Sequence, residues 1–509
     1  MGMVGIVGAL CAVSIAVGER IGINGGQGWD GMAYTAWGED FPGRVLIEHL
    51  TRYHSQRVLP SALVYYALRG LGLPTDAGHV ITGFQLLDAA MLMLAAALWG
   101  QLGAALSWRR TATWAGFVAL FAGFANARHA LYYPTLTDPT AFALGMLLIW
   151  GYATERRWAV WLAGLVGTLT WPALPPVAMV LIVLPRTALP RTALPPLEPP
   201  PSPGRRRLAT ALAAVVAAIG TALFLLIARH YLLHPVPGVG DDKFAAWVRR
   251  DLLVLTVAGL VAMLGAGWFV LLRDPRLWDA WRLLRRPARH WGWTAVAIAT
   301  LAAVRLAWVG AIGTRGEGPS GAQFLCEHTL SAIRGPLWGP VHHVVYFGPI
   351  IALAGLAWPR LARAANDLGP GAVIALALTL GFAAGSNSRQ WNHLLPLAVA
   401  LTIAATEPLW TPRRAMAFTA LALAWSRLWM AIGYDRHITW WEFPNQRYFM
   451  TQGPYASDAM YLVHLAAAVA TTVALALIAG MVGFRRPRRD APPTPMPGSA
   501  APARGSAGT

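Results

Sequence analysis

Apolar residues run along this chain in blocks long enough to cross a lipid bilayer, separated by short polar joints. A spanning helix needs about 20 mostly apolar residues. Stretches of that character lie near residues 2–18, 57–73, 80–104, 112–127, 138–153, 158–185, 208–229, 250–272, 291–313, 341–358, 370–386, 391–407, 413–431 and 460–482. The pattern predicts an all-α fold, a polytopic membrane helix bundle with about 13 to 14 transmembrane helices. One joint differs from the rest: residues 19–56 are long, polar and rich in acids. Another, residues 186–207, carries a PRTAL repeat and a polyproline run and reads as a flexible cytoplasmic linker. These joints divide the chain into an N-terminal membrane module (1–185, first outer loop 19–56), the linker, the C-terminal membrane helices (208–483) and a disordered cytoplasmic tail (484–509).

Composition agrees with lipid-facing helices. Of the 509 residues 56% are hydrophobic and only 13% charged, and the mean hydropathy is +0.47. A soluble protein carries roughly 25% charged residues. The formal charge of +18 raises the question of nucleic acid, but its distribution argues against such a partner. The arginines gather in joints (Arg205–Arg207, the 273–289 stretch, Arg485–Arg489), which is how cytoplasmic loops obey the positive-inside rule. The Ala, Gly and Arg richness resembles GC-rich bacterial coding, and the expected location is the bacterial cytoplasmic membrane. The first apolar segment lacks a basic leader and a clear cleavage site, so it reads as a retained helix. Cys11 and Cys326 are the only cysteines, and with Cys11 inside that segment no structural disulfide is expected.

Counting back from the tail puts the 434–459 loop and Arg389 outside, with Arg413–Arg414 and the 273–290 loop inside. Simple alternation then leaves Arg109–Arg110 and Arg156–Arg157 outside, against the rule. Residues 158–185, interrupted by Trp171, Pro172 and Pro175, can instead form two half-helices meeting at the outer side, which repairs one joint and shifts the parity of others.

The chemistry is densest in the first outer loop, GWDGMAYTAWGEDFPGRVLIEHLTRYHSQRVLP. If residues 30–37 are helical, Asp30, Tyr34 and Trp37 share one face. Residues 44–54 have the spacing of an amphipathic interfacial helix, with Leu46, Ile47, Leu50 and Tyr53 apolar. Asp30 reads either as a working carboxylate or as a solvated acid capping a short helix. Glu39 and Asp40 are the alternative working pair, or a helix-end solvation pair.

A carboxylate in a WDG–Tyr setting after the first helix, interfacial helices and an Arg–x–Leu–Pro entry into the next helix resemble the GT-C glycosyltransferases. The resemblance covers roughly residues 1–185. It implies a GT-C-like fold, a polyprenyl-phosphate-sugar donor and an essential acid in the first outer loop. Carried over, Asp30 is the acid, Tyr34 and Arg57 match flanking positions, and YYPTLTDP, with Asp138, resembles a later aromatic–Pro–acid stretch. Transfer from a lipid phosphate needs a base for the acceptor hydroxyl and a cation for the leaving phosphate. Arg offers a planar fork suited to phosphate oxygens.

Other polar groups stand near the expected membrane surface. In GSNSRQWNHLLPL, Arg389 is a candidate phosphate ligand or a headgroup anchor, and His393 a candidate substrate ligand. Asp138 is a supporting acid or a helix-start residue. Trp440 and Trp441 are candidate acceptor-binding aromatics or part of an interfacial belt. Asp88 and Arg305 fall inside apolar spans and suggest a functional cavity or a mutual pair; Arg427 and His464 read as snorkelling residues. No metal-ligand set is visible, His328, His342 and His343 included, although a divalent metal can assist such a reaction. The expected partners are the lipid-linked donor and membrane lipids. A transporter or lipid flippase, or a noncatalytic assembly subunit, are the other readings. The sequence does not assign an oligomeric state.

Overall fold

The computed structural model describes residues 2–51, 53–184, 186, 202–235, 241–278, 288–312, 321–428, 432 and 453–479. Among the described residues every regular element is helical. Among the described residues five helices are long and apolar enough to cross a bilayer: Ala77–Ala105, Pro203–Leu233, Arg250–Leu272, His290–Ile312 and Asp458–Ile478. Helices of that length and composition are those of a membrane protein. Shorter helices, among them Gly2–Val17, Asp138–Ala153, Leu174–Val183, Pro370–Phe382 and Leu395–Thr406, pack against them and one another around one large core.

Small residues set the closest approaches. Helix Asp138–Ala153 passes so near the 388–394 turn that a Cβ on Gly145 would sit 1.9 Å from the His393 carbonyl oxygen. Neither backbone can move closer, so this contact fixes the height of the turn against the helix.

Contacts between elements give the running direction of each. Helices Asp138–Ala153 and Leu395–Thr406 both start beside the Asp138–Arg389 pair and run the same way. Their far ends meet the arginine-bearing joints. Arg186 donates to the Ala153 carbonyl, Arg109 pairs with Glu407 at 3.2 Å, and Thr111 donates to the Trp410 carbonyl at 2.5 Å. Arg156, Arg157, Arg413 and Arg414 flank these contacts in sequence. The arginine joints thus gather at one end of the bundle, and Asp30, Asp138 and Arg389 lie at the other.

Simple alternation is therefore corrected in two places. The span expected at 57–73 is helix Leu59–Gly70, 12 residues long, which covers about 18 Å. It folds back on the first third of Ala77–Ala105, with Val64 against Gly83, and does not cross to the arginine end. Ala77–Ala105, at 29 residues, reaches about 43 Å and exceeds the roughly 30 Å of a hydrocarbon core, so its first turns overhang with Leu59–Gly70. The second correction lies in 158–185. Helices Arg157–Gly167 and Leu174–Val183 form a hairpin, broken at 168–173, whose tip carries Trp171 to the Asp30 end.

Two further expectations change. The 44–54 helix does not form as one piece: a wide helical turn covers Pro42–Ile47, His49 adopts a left-handed φ of 62°, and a tight turn follows at His54–Gln56. Leu46 and Ile47 are exposed whereas Leu50 is buried. The linker is shorter than 186–207, because the Ser202 hydroxyl accepts from the Arg205 N–H and caps helix Pro203–Leu233, taking Arg205–Arg207 into its first turns. Trp440, Trp441 and the tail from 484 lie outside the described residues.

Candidate functional site

Asp30 opens helix Asp30–Glu39. The preceding chain turns sharply, with Gly28 at a φ of +68°, and Gly31 lets the helix start press onto the 133–135 segment: a Cβ there would stand 2.0 Å from Thr135 Oγ1. The Gly31 N–H donates to the Tyr133 hydroxyl at 3.1 Å, and Thr135 Oγ1 donates to the Gln27 carbonyl at 3.0 Å. An end that leaves its first N–H groups unpaired is thereby satisfied by a distant part of the chain. Tyr34 and Trp37, one and two turns on, are buried, and the Tyr34 carbonyl accepts from Ser61 Oγ at 3.0 Å.

Asp138 starts the next helix of the site, with Pro139 behind it in the first turn where a missing N–H costs nothing. Its carboxylate accepts two parallel bonds from Arg389, Nε to Oδ1 and Nη2 to Oδ2, both 3.0 Å. This is the fork-on-carboxylate geometry of the strongest ion pairs. The pair is sequestered, with side-chain exposures of 7% for Asp138 and 12% for Arg389. The same Nη2 lies 3.9 Å from Asp30 Oδ2, and the Asp30 side chain is 47% exposed. Arg389 therefore bridges a buried carboxylate and an accessible one.

Arg57 is different. It is buried, and its guanidinium lies 4.2 Å over the Trp171 ring and 4.6 Å over the Tyr53 ring. Nε has no hydrogen-bond partner, and among the described residues Arg57 makes no ion pair. Stacked faces leave the N–H edge of the fork available to an anion. The His393 ring packs at a tilt of 48° against Trp171, with ring centroids 6.0 Å apart. Burial raises the Tyr34 phenol well above its ordinary range, Arg57 opposing, and the Tyr34 hydroxyl has no partner. Burial also raises Tyr53 and lowers His54.

Asp30, Tyr34, Arg57, Asp138, Arg389 and His393 are thus gathered from four separate stretches of sequence. Glu39 and Asp40 are not among them. Nine residues of helix separate Glu39 from Asp30, about 13 Å. Asp40 accepts the Gly43 N–H at 3.0 Å and closes a local turn. Asp88 and Arg305 do not pair: Arg305 donates to the Thr168 carbonyl at 3.4 Å, while the buried Asp88 carboxylate has no hydrogen-bond partner. Arg427 does not snorkel; it is buried 3.9 Å over the Phe124 ring and donates to the Val345 carbonyl at 3.0 Å. His464 is likewise buried, its ring 4.9 Å from that of His342.

Sequence reasoning passed over Tyr53, Tyr133 and Tyr455. Tyr53 stands four residues before Arg57, a spacing that was available as a signal. Tyr455 had none, since only the fold brings it near Asp30. Among the described residues no group of three or more His, Cys, Asp or Glu is placed to hold a metal ion. Comparison of the chain with models of protein families, with curated proteins and with solved structures finds no match in any of the three.

Proposed function

We propose that this protein is a membrane glycosyltransferase of GT-C-like architecture, moving a sugar from a polyprenyl-phosphate donor to an extracytoplasmic acceptor. The observation that carries the reading is an accessible carboxylate, Asp30, near a buried guanidinium, Arg57, that makes no ion pair among the described residues. In this mechanism the acceptor oxygen attacks the anomeric carbon and its proton passes to Asp30. The bond between that carbon and the phosphate oxygen breaks, and the prenyl phosphate leaves with the bonding pair. The phosphodiester carries one negative charge and the departing monoester two, so a cation at the leaving oxygen is favoured more as the bond breaks. Arg57 supplies it, while Asp138 holds Arg389 at 3.9 Å from Asp30 and so leaves the base free to take the proton.

The surroundings support the reading. Trp29 and Met32 flank Asp30 and are exposed, which suits entry of a prenyl chain from the lipid. The arginine joints lie at the far end of the bundle, as expected if that end is cytoplasmic and the site faces outward across the bacterial cytoplasmic membrane. The 13 to 14 crossings belong to this reading. A transporter or lipid flippase is the second reading, favoured by the buried and unpartnered Asp88 and Gln85 in helix Ala77–Ala105.

Purified protein in lipid nanodiscs, given a panel of radiolabelled prenyl-phosphate sugars and simple glycoside acceptors, should release prenyl phosphate and label an acceptor. Asp30→Ala should abolish transfer while the protein still inserts. Full transfer by that variant refutes the assignment of the base. Movement of the intact lipid across the bilayer without bond cleavage supports the second reading.

A further inference from the structure

At the arginine end of the bundle an open groove of about 630 Å³ runs among helix ends. It is lined by the last turns of Ala77–Ala105 and the first turns of Arg110–Phe121 and Pro412–Ser426. The apolar lining includes Met3, Gly100, Ala104, Ala415 and Met416. Gly100 keeps the groove open, since a Cβ built there meets nothing within 4 Å. Most polar groups of the lining are engaged. Thr111 Oγ1 donates to the Trp410 carbonyl at 2.5 Å, Thr113 Oγ1 to the Arg109 carbonyl at 3.2 Å, and the Trp114 indole N–H to Thr419 Oγ1 at 3.1 Å. The Arg110 guanidinium and the Trp108 indole N–H also line the groove, and among the described residues neither has a protein partner. Both groups only donate. Among the described residues no carboxylate lines the groove, and the acid of the neighbouring joint, Glu407, is taken by Arg109 at 3.2 Å.

We propose that this groove binds an anionic phospholipid, with one acyl chain along the apolar lining and the phosphate on Arg110 and Trp108. The inference is independent of the glycosyltransferase reading. An apolar trough beside an unpaired cation matches a ligand that is apolar along its length and negative at its head. The planar fork of Arg110 suits phosphate oxygens. Tryptophan favours the level at which a membrane turns from apolar to polar. The groove has the roughly 300–1,000 Å³ typical of small-ligand sites. A zwitterionic lipid brings the same phosphate, but its ammonium group finds no acid in the lining. The groove also lies on a seam. Arg109–Glu407, Thr111–Trp410 and Trp114–Thr419 join the N-terminal helices to the C-terminal ones there, so a lipid seated in it bridges the same two parts of the chain.

The test uses the full chain, stripped of lipid in detergent and titrated with phosphatidylglycerol or phosphatidylcholine of the same acyl chains. Native mass spectrometry reads the bound lipid. The wild-type chain should hold one phosphatidylglycerol in preference to phosphatidylcholine. Arg110→Gln should weaken that binding about fivefold. Gly100→Leu sends its side chain into empty space and should weaken it at least as much with the charge unchanged. Arg110→Gln breaks no described protein contact, so it stands alone should Gly100→Leu misfold. Arg207→Gln removes the same charge from an exposed position outside the groove and should leave binding unchanged. Equal affinity for the two lipids, undiminished binding by Arg110→Gln or by a folded Gly100→Leu, or an equal loss in Arg207→Gln overturns the site. So does a protein dimer in the same spectra that Gly100→Leu dissociates, which gives the groove to a second copy of the chain.

Discussion

The Asp138–Arg389 pair is the most exacting place to test the reasoning, because two carboxylates compete for one guanidinium. Both bonds to Asp138 are 3.0 Å and the pair is almost fully buried, whereas the approach to Asp30 is 3.9 Å. Removing one member of a buried pair costs about 3–5 kcal/mol, mostly the penalty of an uncompensated charge. Arg389→Met should show that full loss, since it strands the Asp138 carboxylate. Asp138→Asn should cost less, because Arg389 can close onto Asp30. At an effective dielectric of about 20, shortening that separation to about 3 Å gains roughly 1 kcal/mol, and solvent at the half-exposed Asp30 reduces it further. The closure also occupies the lone pair that must take the acceptor proton. Sugar transfer should therefore fall by about two orders of magnitude in Asp138→Asn although Asp30 is intact. The double variant Asp138→Asn/Arg389→Met should be more stable than the two single losses predict, by about 1–3 kcal/mol. Thermal unfolding in detergent gives the stabilities and donor turnover gives the activity. Strictly additive stabilities, or an Asp138→Asn variant with wild-type turnover, would refute the coupling of Asp30 to Asp138 through Arg389.

Three further outcomes follow from the same geometry. Arg57→Lys keeps the charge but loses the planar stack on Trp171 and Tyr53, and should raise the donor KM about tenfold with a smaller change in the acceptor KM; equal donor KM values would remove Arg57 from the phosphate site. Gly31→Ala forces a methyl into Thr135 and Tyr133 and should lower stability by about 1–3 kcal/mol, with turnover falling because Asp30 moves; an unchanged melting temperature would show that the helix start has room to shift. His54 binds a proton less readily folded than unfolded, chiefly through desolvation, so below about pH 6.5 the unfolded chain holds more protons and stability falls as pH falls. His54→Phe should flatten that slope, and parallel melting curves against pH for the two proteins would contradict it.

How much of this was legible beforehand depends on what kind of signal each residue leaves. Asp30, Arg57, Asp138, Arg389 and His393 stand at the ends of apolar blocks, where a charged or polar side chain is conspicuous, and the structure brings all five together. Glu39 and Asp40 leave the same compositional mark, yet nine residues of helix carry them away, a distinction that only the length of the Asp30–Glu39 helix makes. Tyr455 lies in the Gly453–Tyr455 turn, and no local spacing links it to Asp30. Trp171 reads in sequence as a helix breaker. Its second role, as the platform under Arg57, requires knowing that a hairpin tip returns to the outer-loop end of the bundle.

The topology makes the same point about cancelling irregularities. Alternation along the chain fails at Arg109–Arg110 and Arg156–Arg157, and no single change repairs it. If Leu59–Gly70 alone does not cross, both arginine joints move to the correct end, but the segment from 158 to 185, counted as one crossing, then delivers the Arg-rich start of Pro203–Leu233 to the wrong one. If 158–185 alone is a hairpin, the linker is displaced and the earlier joints stay wrong. Both departures together bring the described arginine joints to one end. Each is built locally, the first by a helix too short to span and the second by Trp171–Pro172 breaking an apolar run. They are also what equips the site: the uncrossed Leu59–Gly70 supports Tyr34 through Ser61, and the hairpin tip supports Arg57 through Trp171. The two stretches that defy simple counting are therefore the two that shape the space around Asp30, so a failure of parity in a helical membrane chain points toward its polar cavity.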